Sequence, residues 1–126
     1  LGGAVALFVQ ARIFGEVRVL DCNGRIVSFE DCAVLREAVG SLLQETTKIV
    51  VNLKEVDYIA SDGVGVLVGL FVSARNRGGE LKLASLRKRV EEVLRRTNLD
   101  TIFRIFTNND EALASFEKQV ARKRGA

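Results

Sequence analysis

The chain has 126 residues, 48% apolar and 28% charged, which suits one globular domain able to fold alone and excludes the disordered and fibrous classes. Its net charge of +3 comes from 19 basic and 16 acidic residues; Arg122, Lys123 and Arg124 near the end could supply all of that excess, so the body is too close to neutral for nucleic-acid binding to be expected. There is no histidine, the commonest general base, and the longest apolar run, Gly63 to Val72, is about half of a bilayer span, so membrane insertion is not expected either.

Leu1 in place of Met implies that the visible chain begins inside a longer product, and Leu1 to Phe8 lacks the basic start and polar exit of a signal peptide. With two cysteines, Cys22 and Cys32, and no disulfide framework, the chain reads as a cytoplasmic protein with free thiols. Without proline, linker or repeat, residues 1–126 read as one domain.

A first strand is expected within Val5 to Ile13, and a second from Gly15 to Asn23, ended by a turn at Asn23-Gly24. Cys32, Leu35, Val39, Leu42 and Leu43 recur at helical spacing, with Ser28 or Glu30 near the helix start. Ile49 to Leu53 is a β-branched run suited to a central parallel strand buried on both faces. A loop carrying Glu55 and Asp57 then leads to residues 63–72, whose composition fits strand or helix alike.

The small residues decide in favour of a helix. Ser61, Gly65, Gly69 and Ser73 lie four apart and would form one flat stripe that another backbone can approach. Ser61 and Asp62 are candidate N-caps, and Gly78-Gly79 is a stop. Leu81 and Leu83 alternate with Glu80 and Lys82 as a short strand, and Val90, Val93 and Leu94 define a helix closed by Asn98. Ile102 to Phe106 reads as a last strand, and Asn109 and Asp110 open a helix carrying Leu113, Phe116 and Val120. The alternation predicts an α/β domain: helices on a mainly parallel sheet, with the first strand antiparallel.

No catalytic constellation emerges, and no metal or cofactor is expected. The Gly63, Gly65 and Gly69 spacing approaches a dinucleotide fingerprint, yet it does not follow its strand at once and has no acidic residue about 20 positions on. Ser61 lacks a nucleophile elbow. Glu55, Asp57 and Asp62 could in principle act as an acid/base pair or hold a metal, but a solvated loop and a helix cap account for them. Arg87, Lys88, Arg89, Arg95 and Arg96 make the third helix basic, interrupted by Glu91 and Glu92; this is a solvated face or a means of steering an acidic partner.

Tyr58-Ile59-Ala60-Ser61-Asp62-Gly63-Val64-Gly65-Val66-Leu67, following Ile49 to Leu53, resembles the signature of STAS domains in bacterial anti-sigma factor antagonists, whose usual form is Asp-Ser-Ser-Gly-Leu-Gly. Asn23 to Ile26, Arg77 to Leu83, Val90 to Leu99 and Phe103 to Leu113 agree in order and spacing, so the resemblance covers about residues 12–118. It implies the STAS fold, a central mixed, mainly parallel sheet of four to five strands with about four helices. It also implies a non-catalytic domain that docks on an anti-sigma factor, typically an ATP-binding serine kinase, and so releases a sigma factor.

By this resemblance the partner surface comprises Ile59, Ala60, Ser61, Asp62, Gly63, Val64, Gly65 and Val66, with Val27 beside them. In the family the kinase phosphorylates the serine directly before the first glycine, and the phosphate turns binding off. Here that position is Asp62, which cannot take the phosphate; Ser61 is the runner-up acceptor. Asp62 then either imitates the phosphorylated state or meets a surface adapted to it. Ala60 replaces the usual acidic residue, and Val27 stands where many phosphorylatable members carry aspartate. A nucleotide- or small-molecule-sensing STAS module and a soluble STAS subunit of a membrane transport complex are the alternatives; oligomeric state is left open.

Overall fold

The computed structural model describes the backbone of residues 5–125 and the side chains of residues 5–117. The elements run β1 (Leu7–Phe14), β2 (Val17–Ile26), α1 (Phe29–Leu42), β3 (Lys48–Ile59), α2 (Ser61–Asn76), β4 (Glu80–Ala84), α3 (Lys88–Arg96), a 3-10 turn (Leu99–Thr101), β5 (Ile105–Phe106) and α4 (Asn109–Gly125). The five strands form one sheet in the order β1-β2-β3-β4-β5, antiparallel between β1 and β2 and parallel thereafter. Sequential parallel strands need crossovers, and α1, α2 and α3 supply them.

Ile49, Val51 and Leu53 of β3 point into one apolar cluster shared with Leu35 and Val39 of α1, Leu67 of α2, and Val90 and Leu94 of α3. Val50 points the other way, into a smaller cluster with Val17, Val19 and Ala84, where Ala112 and Phe116 of α4 cover the sheet. Covered faces on both sides explain why the β3 sequence does not alternate. Val120, Arg122, Lys123 and Arg124 have side chains outside the described residues.

Three expectations are corrected. The chain reverses at Gly15-Glu16, with Gly15 at φ +61°, and not at Asn23-Gly24, which lies within β2. Gly24, at φ +116°, sits at a register shift, and a Cβ there would overlap the Ala6 carbonyl, so the glycine serves a bulge rather than a turn. Second, β3 continues past Leu53 to Ile59, still paired with β2, so Glu55 and Asp57 stand on a strand and not in a loop. Third, only Ile105 and Phe106 of the expected last strand pair with β4. Phe103 is instead buried edge-on against Phe71, with ring centroids 5.3 Å apart, which draws the preceding chain off the strand path.

Candidate partner-binding site

The site forms where β2 and β3 end side by side. Ile26 is the register partner of Ile59, and the Ala60 N–H donates to the Ile26 carbonyl at 2.9 Å. Ala60, at φ −87° and ψ 169°, is the N-cap of α2, and its carbonyl accepts from the Val64 N–H at 3.0 Å. The capping role expected of Ser61 or Asp62 therefore falls one residue earlier. Alanine has no side-chain acceptor, so the first turn of α2 has no side-chain cap, and Ser61 and Asp62 stand exposed within it.

Gly63 fixes this arrangement. A Cβ there would meet Ile26 Cγ2 at 2.7 Å, Ile59 Cγ1 at 2.8 Å and the Ile26 carbonyl oxygen at 2.9 Å, so any side chain would lift the helix from the sheet. Ile59 and Val64 are also buried, at 0% and 2% exposure. Of the expected contact stretch, Ile59, Gly63 and Val64 thus face the interior and only shape the surface. Ala60, Ser61, Asp62, Gly65 and Val66 remain within reach of a partner, as does Val27.

Ser61, Gly65, Gly69 and Ser73 are exposed along the outer side of α2, and no atom lies within 4 Å of a Cβ built at Gly65 or Gly69. This stripe forms one wall of a groove of about 650 Å³; Phe29, which is 77% exposed, and Arg36 of α1 form the other, with Cys32 at its base. The close helix-to-sheet approach is made by Gly63, while the stripe itself stays open.

Asp31 holds the loop between β2 and α1, and sequence reasoning missed it. Its buried carboxylate accepts from the backbone N–H groups of Ala6 at 2.7 Å, Val27 at 3.1 Å and Ser28 at 3.0 Å, while Ser28 Oγ accepts from the Asp31 N–H at 3.0 Å. Burial alone would raise its pKa, but the bonds from Ser28, Ala6 and Val27 outweigh that and hold it below the ordinary 3.8. The legible signal was a serine followed three residues later by an acid, the capping-box spacing.

Glu55 and Asp57 do not join Asp62. Both bind the Arg87 guanidinium, Glu55 at 3.2 Å, and no metal-holding group of acids, cysteines or histidines occurs among the described residues. Both cysteines are free and buried; burial, then the Asp21 charge, pushes the Cys22 thiol up to about 12, and burial also raises Cys32. Thiols held protonated in this way are poor nucleophiles.

A mainly parallel sheet crossed by three helices, with Gly63 holding the start of α2 against the ends of β2 and β3, defines an α/β domain. The STAS domain family model matches residues 8–112, and the chain belongs to that family. It is 31% identical over 102 residues to the anti-sigma-B factor antagonist of Bacillus subtilis (strain 168), covering 81% of this chain and 84% of that protein. An anti-sigma factor antagonist from Mycobacterium paratuberculosis superposes with a TM-score of 0.79 at 19% identity over 91% of this chain and 97% of that one. The unphosphorylated anti-sigma factor antagonist SpoIIAA superposes with a TM-score of 0.72 at 19% identity over 94% and 98%. No helix among the described residues is long and apolar enough to cross a membrane.

Proposed function

We propose that this chain is a cytoplasmic anti-sigma factor antagonist. It binds an ATP-binding anti-sigma serine kinase through the exposed part of Ala60 to Val66 together with Val27, and so frees a sigma factor. The observation that carries the reading is the uncapped first turn of α2, pinned by Gly63 and presenting Ser61 and Asp62 to solvent beside an open groove. Similarity to the Bacillus subtilis antagonist supports the choice of partner.

Asp62 makes this binding independent of phosphorylation. A carboxylate carries one charge, whereas phosphoserine carries about −1.5 to −2 with three strong acceptor oxygens. In the first turn of a helix the macrodipole partly offsets a single negative charge. The surface thus carries a fixed, modest charge rather than one that is added and removed.

Purified ATP-binding anti-sigma factors from the same genome, titrated calorimetrically against the chain, test the reading. Gly65→Arg is the informative variant, because its side chain enters open space; Gly63→Arg would test folding instead. Binding to one such factor is expected, with loss of at least about thirtyfold in Gly65→Arg, the effect of blocking an interface centre. A wild-type chain that bound none of them would sink the reading, and an undiminished variant would remove the start of α2 from the interface.

A further inference from the structure

The basic run beginning at Arg87 is divided by the fold. Arg95 is paired with Glu91 at 3.1 Å. Arg87 turns back onto β3, where it donates to the Lys54 carbonyl at 2.7 Å and binds Asp57 and Glu55. Lys88 and Arg89 instead line a depression of about 790 Å³ with Arg25 of β2. None of these three cations forms an ion pair with a carboxylate among the described residues.

Tyr58 lies among them, with the Arg89 guanidinium 5.4 Å from its ring centroid, which holds that charge in place. Tyr58 is 36% exposed and Val27 43%, so the depression also offers apolar contact. Its one carboxylate, Asp57, is already occupied by Arg87. Arg87 gives the first turn of α3 no side-chain cap, so the positive end of that helix adds to the same field.

The depression adjoins the start of α2: Arg25 and Tyr58 are register partners, Ile26 and Ile59 are the next pair, and Ala60 bonds to Ile26. We infer that this ledge is a second part of the docking surface and receives an acidic segment of the partner protein. The inference rests on the protein-binding reading above, and charge complementarity carries it. Three cationic side chains without a carboxylate partner among the described residues, Arg25, Lys88 and Arg89, converge on a concavity with apolar rims, whereas a nucleic acid calls for a long basic stripe and a membrane for a flat one.

The probe is a 12-residue peptide of Asp, Glu and Leu, titrated into the isotopically labelled protein and followed by amide and arginine side-chain NMR. The expected shifts centre on residues 25–27, 57–58 and 87–89, weaken with salt, and need ~10-fold more peptide in a folded Arg25→Glu/Arg89→Glu variant. Absence of those shifts, shifts spread equally over Arg95, Arg96 and Arg104, or tighter binding of inorganic phosphate, an RNA oligonucleotide or anionic vesicles would overturn the inference. Against an anti-sigma factor that binds the chain, the charge-reversed variant is expected to lose ~10-fold in affinity. Loss in Gly65→Arg with none on charge reversal defeats the ledge and leaves the proposed function standing. If no anti-sigma factor binds the wild type, the proposed function fails while the peptide result still decides the ledge.

Discussion

Asp62 is exposed in the first turn of α2, with its charge partly balanced by the amide dipoles of that turn. Its neighbour Ser61 is exposed as well, but the hydroxyl sits one residue further from the glycine that pins the helix. A kinase that reads the position directly before Gly63 therefore finds a carboxylate. Asp62→Ser supplies the missing acceptor at an accessible place, and incubation with a cognate kinase and ATP is expected to add one phosphate there, detectable by mass spectrometry and accompanied by loss of binding. The wild-type chain is expected to stay unmodified under the same conditions, and phosphate on Ser61 would show that the switch has moved by one residue rather than vanished.

At the scale of elements, Asp31 joins three pieces of backbone: the approach to β1 at Ala6, the end of the β2–α1 loop at Val27 and Ser28, and the start of α1. Removing the carboxylate in Asp31→Ala leaves these amides without their acceptor, at a cost of about 2–4 kcal/mol measurable by urea unfolding near neutral pH. Because the folded-state pKa is lowered, the unfolded chain takes up the proton first on acidification. The stabilisation is complete above the ordinary value of 3.8 and is lost as pH falls through the lower folded value, so the difference between variant and wild type is expected to shrink only below about pH 4. A deficit that already closed between pH 7 and 5 would contradict this assignment. The helical reading of residues 61–73 rested on the four-residue spacing of small side chains, and the helix is there, running over Ser61–Asn76. Its physical cause differs in part, since Gly63 makes the close approach while Gly65 and Gly69 border open space.

Across the whole molecule, the least expected residue is Lys82. It alternates with Leu81 and Leu83 along β4, α4 covers its side of the sheet, and the side chain is 0% exposed. Its Nζ donates to Ser115 Oγ at 2.7 Å, lies 3.8 Å from the Phe116 ring centroid and approaches Glu80 at 3.9 Å. Burial lowers its pKa from 10.5 to about 8, against the raising effect of Glu80. Between these values the unfolded chain binds more protons, so stability rises with pH from 8 to 10.5; below 8 the full cost of the buried charge is present. Urea unfolding of Lys82→Met from pH 7 to 10 is expected to lack this rise and, at pH 7, to show stability equal to the wild type or up to about 3 kcal/mol higher. An unchanged slope would mean that Lys82 stays protonated throughout.

The sequence by itself determined the order and type of the elements, the parallel sheet with its antiparallel first pair, and the family, because period, composition and the motif at 58–67 are local and survive without coordinates. The motif at 58–67 also singles out the start of α2 as the candidate surface. Which residues of that stretch reach the surface was decided only by tertiary structure: Ile59 and Val64 look like their neighbours in sequence but point inward. The extension of β3 through Asp57, the burial of Lys82 and the meeting of Arg25 with Lys88 and Arg89 depend likewise on what packs alongside. A strand end, a covered face and a cluster of charges are made by residues far apart in the chain, and no local pattern records such distances.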